Sequence, residues 1–252
     1  MLDVVPDVVP DVAAQGHSVG RLVRFAAADH ASTLLWLGTT ELVPLLVLGV
    51  AGIFSLGQMA LFAVGAYTTA MLGYYFAAPL LLAMPIAALV TVGLSLVIGL
   101  ACLRLKGPYV ALLTLAIAQM LYLLIVNDTA CFTTPPSGCM PLFGGVRGIS
   151  KFGDLGFRAL LGPKWYIAHF YVGLGLLALA TIVSIFVIRG PLGLAFQALR
   201  DNPGYAMSRG VSRFKYQLWV FAVSAFLTGL AGGFYAAQFT VVGPTVFSLS
   251  QL

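Results

Sequence analysis

Six stretches of the chain are almost wholly apolar: residues 33–54, 59–78, 80–103, 108–127, 165–188 and 216–239. Each is close to the roughly 20 residues a helix needs to cross the hydrocarbon core. Backbone groups in lipid must bond internally, so only helices or a closed barrel can span. The apolar runs are continuous and do not alternate every second residue, which excludes a barrel. The pattern therefore predicts an all-α, polytopic membrane protein with about six hydrophobic segments. Two polar intervals interrupt it, a Gly- and Pro-rich loop at 128–164 and a basic stretch at 189–215. The first 16 residues, "MLDVVPDVVPDVAAQG", repeat a Val-Pro-Asp-Val unit. Prolines there remove donors and favour extended backbone, so 1–32 reads as a flexible tail. Val19 to Ala31, with Arg21 and Arg24, adds a short interfacial helix. The tail has neither a basic n-region nor a continuous h-region, unlike a secretory signal.

Composition agrees with lipid as the main solvent. Hydrophobic residues make up 60% and charged residues 8%, against about 25% charged in soluble domains. The net charge of +5 needs no nucleic-acid partner, because basic residues collect on the cytoplasmic side of membrane proteins. Arg104, Lys106, Arg189, Arg200, Arg209, Arg213 and Lys215 fall on one side of the predicted bundle. Arg147, Lys151, Arg158 and Lys164 fall on the other. The larger set places 189–215 in the cytoplasm and 128–164 outside. The side of the N-terminus stays open, since 33–54 either crosses or is partly re-entrant.

Little in the chain points to chemistry. There is no P-loop, and "GLGLLA" at Gly173 to Ala178 lies inside an apolar segment with no strand before it. His17, His30 and His169 are scattered without a metal-ligand spacing, and no G-x-S-x-G elbow occurs. No catalytic residue and no metal site is predicted, and an enzyme is not expected. Cys102 falls in an apolar segment as a small buried residue. Cys131 and Cys139 share the 128–164 loop; they either close a small hairpin or remain two free thiols.

Polar features inside the apolar segments are the candidates for a pathway. In "IFSLGQMALFAVGAY" (Ile53 to Tyr67) Ser55 and Gln58 have capping-box spacing, flanked by Gly52 and Gly57. This predicts a discontinuous helix near Ser55 lining a cavity, or a tight turn between two spans. Tyr67 closes that stretch. Glu41 reads as interfacial, and no other acidic residue lies within the six segments. That scarcity argues against an ion-coupled secondary carrier, the alternative of another class. Beyond the Gly107-Pro108 turn, Tyr109, Thr114 and Gln119 offer polar groups to a pathway or to a neighbouring helix. Gly229 and Gly233 are spaced for close helix packing.

The basic stretch "RGPLGLAFQALRDNPGYAMSRGVSRFKYQ" reads as folded. "LGLAFQALR" forms a short helix with Leu194, Ala198 and Leu199 on one side. Asn202-Pro203 has N-cap and N1 character, and Gly210 ends a second short helix. Two such helices make a docking surface; the plainer reading is a basic loop resting on anionic lipid headgroups.

Four stretches resemble the LivM-type permeases of branched-chain amino acid ABC importers: "GVAGIFSLGQMALFAVGAYT" (49–68), "LRLKGPYVALLTLAIAQM" (103–120), "GLAFQALRDN" (193–202) and "FKYQLWVFAVSAFLTGLAGGFYA" (214–236). They run in the family's order and spacing. The wider superfamily includes permeases for urea and other small solutes. The resemblance implies a permease domain over 33–252 in a bacterial inner membrane, translocating branched-chain or related amino acids. It implies a homologous permease subunit, two cytoplasmic ATPases and an extracytoplasmic solute-binding protein as partners. ATP would be used by those partners, with no cofactor bound by this chain. Gly193, Ala198, Arg200, Asp201, Asn202, Ala206 and Gly210 match the family's coupling helix, which docks on the ATPase. Pro203 and Gly204 depart from that pattern, leaving the second short helix in question. The family also has a span upstream of residue 33 and helices beyond residue 248, so the chain reads as a truncated or divergent permease, and a non-transporting scaffold is a further alternative.

Overall fold

The computed structural model describes residues 57–102, 109–133, 140–150, 152–153, 155–156 and 165–247. The tail, the apolar segment 33–54 with Glu41, and the Gly107-Pro108 turn lie outside the described residues. Five of the six predicted segments are present as helices long and apolar enough to cross a membrane. They are α1 (Gln58–Phe76), α2 (Leu80–Cys102), α3 (Tyr109–Val126), α4 (Trp165–Arg189) and α7 (Arg213–Phe239). Between α4 and α7 stand two short helices, α5 (Pro191–Asp201) and α6 (Pro203–Ser208).

Helix α7 is the centre of the bundle, held between α1 and α2. Lipid tails are as apolar as leucine, so contact area and close backbone approach drive this association. Small residues supply the approach. A Cβ added to Gly65 of α1 would lie 2.7 Å from the Gly229 Cα. One on Gly232 would strike the Phe62 carbonyl, and one on Gly233 would lie 2.8 Å from the Thr69 Oγ1. On the α2 side, a Cβ on Gly229 itself would come within 2.9 Å of the Ala88 Cα. Gly229 and Gly233, picked out by their spacing, thus sit at the two helix crossings, while Gly65 and Gly232 complete them.

Hydroxyls buried at these crossings bond within their own helices. Thr69 donates to the Gly65 carbonyl at 2.9 Å, and Thr91 donates to the Ala87 carbonyl at 2.8 Å. Each group is satisfied without water, as hydrocarbon requires. Helices α1 and α7 both stop on a non-glycine residue in the left-handed region, Ala77 (φ 46°) and Thr240 (φ 54°).

The described residues of the 128–164 interval include short paired strands. Strand β1 (Cys131–Thr133) pairs antiparallel with β2 (Met140–Pro141). Strand β3 (Ile149–Ser150) pairs antiparallel with β4 (Val241–Val242), tying the interval to the chain just after α7. Gly148, at φ 72°, makes this possible, because a side chain there would collide with the Val242 carbonyl. The Asp128 carboxylate accepts the Phe143 N–H at 2.7 Å, and the Tyr75 hydroxyl donates to the Leu142 carbonyl at 3.0 Å.

Candidate functional site

The segment joining α4 to α7 is built by three local devices. Pro191 opens α5 at a position where its missing N–H removes no bond. Asn202 ends α5 and caps α6: its N–H bonds the Ala198 carbonyl at 3.1 Å, and its Oδ1 accepts the Tyr205 N–H at 3.1 Å. Gly210, at φ 86°, closes α6. Its N–H bonds the Met207 carbonyl at 3.0 Å while Val211 N–H bonds the Ala206 carbonyl at 3.1 Å, the paired bonds of a Schellman ending. Pro203 and Gly204 do not prevent the second helix; Pro203 occupies its first turn.

A buried aromatic anchors the unit. Phe196 of α5 is 1% exposed and packs with Val187 of α4 and Val220 of α7. Its ring meets Tyr216 edge-on at 6.0 Å. Gly193 lets α5 fold back tightly, since a Cβ there would run into the Ile188 carbonyl. Ala206 is buried as well.

The residues grouped on one side of α5 by their spacing do not share one burial. Leu194 is 68% exposed, while Ala198 and Leu199 are half-buried, and Phe196 takes the inward role. The reason is geometric: the turn at Gly190 rolls α5 so that Gly193 and Phe196 face the ends of α4 and α7. The outer face then presents Leu194, Asp201, Tyr205, Met207 and Arg209. Arg209 donates from Nη2 to the Tyr205 hydroxyl at 3.0 Å, with its guanidinium 5.4 Å from the ring centroid. Of the residues matched to coupling, Gly193 and Ala206 therefore shape the unit, Asn202 and Gly210 terminate helices, and Asp201 is on the surface. The Arg200 side chain lies outside the described residues.

The pathway candidates do not gather in one place. Ser55 is outside the described residues, and Gly57 stands before α1 without a side-chain cap. Gln58, whose capping-box partner Ser55 lies outside the described residues, is 6% exposed and turned towards α7. Its Oε1 accepts the Thr228 hydroxyl at 2.9 Å, and its Nε2 lies 3.5 Å from the Ser224 Oγ. In an apolar bundle these two interhelix partners satisfy the side-chain amide. Tyr67 is buried, its ring 6.1 Å from Phe247, and its hydroxyl has no hydrogen-bond partner among the described residues. Thr114 is buried and donates to its own helix at the Ala111 carbonyl. Tyr109 and Gln119 are exposed on the outward side of α3. Cys131 is disulfide-bonded; Cys139 lies outside the described residues. Among the described residues no three His, Cys, Asp or Glu side chains group as a metal site.

Among the described residues, five helices long and apolar enough to span stand around a glycine-packed centre, with a capped double helix between the last two, as in a multi-pass α-helical membrane protein. The chain belongs to the family described as the permease component of branched-chain amino acid transport systems, which it matches over residues 37–252. It is 33% identical over 217 residues to the high-affinity branched-chain amino acid transport system permease protein LivM of Salmonella typhimurium, and equally to that of Escherichia coli K12. In each case the match covers 81% of this chain and 51% of the relative. The chain thus spans about half the length of these curated relatives. No solved structure matches it.

Proposed function

We infer that the chain acts as a permease subunit of an ATP-driven importer for branched-chain amino acids in a bacterial inner membrane. Its proposed partners are a second permease subunit, two cytoplasmic ATPases and an extracytoplasmic solute-binding protein. The chain supplies the path and holds no nucleotide; ATP is used by the ATPases. The names of the two relatives support the solute class. The observation that supports coupling is the α5–α6 unit, capped at both joints and anchored by Phe196 between α4 and α7. A push on its outer face is passed to two spanning helices rather than absorbed by a loose linker. Closure of the ATPases would press α5–α6, and the spans would rock between outward and inward openings.

Docking is tested with Leu194→Glu and Tyr205→Glu together, which change exposed side chains and leave Phe196 in place. Reduced co-purification of the ATPases, with normal membrane insertion, is expected, and ATP-dependent leucine uptake falls with it. Unchanged ATPase association would falsify the docking surface. Uptake that persists on an ion gradient after ATP depletion would favour a secondary carrier instead.

A further inference from the structure

We propose that Cys131 is bonded to Cys139, and that this disulfide is a redox-sensitive staple holding the β1–β2 hairpin together on the extracytoplasmic side of the membrane. Neither the solute nor the ATPase partners enter into it.

The partner of Cys131 follows from the course of the chain. Cys131 is disulfide-bonded, and the other two cysteines of the sequence are Cys102 and Cys139. Cys102 is the last residue of α2. Ile98, one turn before it, shares an apolar cluster with Val110 and Leu113 at the start of α3. Helix α3 then runs 18 residues, about 27 Å, before the chain reaches Cys131. At its far end Tyr122 meets the ring of Phe247, beyond the last turn of α7. Cysteines whose Cα atoms are more than roughly 7 Å apart cannot be bridged, which removes Cys102. Cys139 directly precedes β2, whose Pro141 and Met140 pair with Cys131 and Thr133.

The two strand pairs of this region are held differently. Strand β1 has three residues and β2 two, with an irregular register between Cys131 and Thr133. Cys131 and Phe132 are exposed, and the sequence between the strands carries Pro135 and Pro136. A lone hairpin of this kind is marginal in water, and a bond closing 131–139 disfavours its open form. In the β3–β4 pair, by contrast, Ile149 and Val242 are fully buried, so packing holds it without a covalent link. The stapled pair reaches the bundle through Tyr75 of α1. Phe132 meets that ring edge-on at 5.6 Å, and the Tyr75 hydroxyl donates to the Leu142 carbonyl.

The bond forms by thiol–disulfide exchange. One cysteine thiolate attacks the disulfide of an oxidant protein, and the other thiolate then displaces that protein from the mixed disulfide. Two S–H bonds are lost and one S–S bond is gained; the two electrons and two protons leave with the oxidant as a dithiol. Such bonds persist outside the cytoplasm, where thiols are not kept reduced. The 128–164 interval is therefore extracytoplasmic, and α5–α6, one crossing of α4 away, is cytoplasmic. This orientation is independent of the count of basic residues. Exposure of Cys131 leaves the bond open to reduction.

The test uses the full chain in bacterial membranes, with a polyethylene-glycol maleimide that shifts mobility on a denaturing gel. Of the three cysteines, the denatured chain should take one label, at Cys102, and two more after reduction. Cys131→Ser and Cys139→Ser should each take two labels without reduction, and Cys102→Ser none. A second label on the unreduced Cys102→Ser variant, full labelling of the unreduced parent, or a disulfide-linked dimer overturns the pairing. In intact spheroplasts, an impermeant phosphine followed by an impermeant maleimide should label residues 131 and 139. Labelling only after lysis overturns the orientation. The staple is read on the unmodified chain by hydrogen exchange with and without reductant. Exchange over 131–133 and at Met140 should rise roughly 10- to 100-fold on reduction, as loop closure of this length implies, while 149–150 and 241–242 stay slow. A fully reduced chain with unchanged exchange in β1–β2, or with β3–β4 loosened equally, overturns the staple.

Discussion

Helices α7 and α3 both cross the bundle's apolar depth, yet they are solvated in opposite ways. The most apolar 18-residue stretch of α7 has a mean hydropathy of 1.6 and is 78% buried; that of α3 has 2.3 and is 22% buried. The less hydrophobic helix is the one inside. In water this order would be reversed, because burial there follows the transfer of apolar surface. In lipid the large apolar side chains are already in their preferred solvent, so the interior goes to residues that allow close approach. Gly229, Gly232 and Gly233 on α7 meet Gly65, Phe62, Thr69 and Ala88 on its neighbours. The outside of α3 and α4 goes to Leu, Ile and Phe.

The strongest test of that contrast is to add bulk on each side of it. Gly232→Leu should abolish folding in detergent, since the new side chain meets the Phe62 carbonyl and the Ala66 N rather than a movable group. Overpacking of a tight site costs about 1–3 kcal/mol where neighbours can shift, and backbone neighbours can shift least. Ala178→Leu, on the exposed face of α4, should stay within about 0.5 kcal/mol of the unmodified chain. Thermal unfolding followed by size-exclusion fluorescence compares them. Similar losses for both variants would dissolve the distinction between the two faces.

Next in size is Phe196→Ala, which removes the one aromatic joining α5 to the ends of α4 and α7. Truncating a buried phenylalanine costs about 3–5 kcal/mol, here spent on the attachment of α5–α6 and not on the bundle. Hydrogen exchange should rise sharply over 191–208 and remain slow in α7. Exchange that stays slow over α5 would show that its packing does not depend on Phe196.

These elements also show what was legible in the residues. Each described span coincides with an apolar run, because continuous hydrophobicity is a local property that only a helix can carry through lipid. Asn202, Pro203 and Gly210 were readable for the same reason: caps act within one turn. Phe196 was not. In a helix of eleven residues rich in Leu and Ala, the side that turns inward depends on the angle at Gly190, which no nearby pattern encodes. The partners of Gln58 on α7 were not legible either, since Ser224 and Thr228 lie 166 and 170 positions away. The pairing of Ile149 with Val242 is equally non-local.

Gln58→Leu measures the polar tie between α1 and α7 against the glycine contacts around it. The single Thr228 hydroxyl proton is shared between Gln58 Oε1 and the Ser224 carbonyl at 2.8 Å, and goes wholly to that carbonyl when the amide is gone. The loss should therefore be about 1 kcal/mol, within the range of interhelix polar contacts in membranes. Gln58→Asn, one methylene shorter, should behave like Leu if the reach to α7 matters. A Leu variant as stable as the parent would mean that small-residue packing alone holds α1 to α7.

The smallest effect is expected at Asn202, where the comparison moves from the lipid-solvated bundle to the water-solvated end. Its Oδ1 caps α6 through the Tyr205 N–H, and the contact is exposed. Removing such a cap costs about 1 kcal/mol, and glycine in its place loses only a few tenths. Asn202→Asp should therefore preserve α6, Asn202→Gly should weaken it slightly, and Asn202→Ala should weaken it most. Exchange at the Tyr205 amide reads this order directly, because that N–H has the cap as its partner. The bundle's melting temperature should stay the same in all three, since α6 packs on α5 and meets water rather than the glycine seams. A fall in melting temperature that follows the exchange order would show that the α5–α6 unit and the bundle unfold as one body, and the division between inner and outer regions would end at the spans.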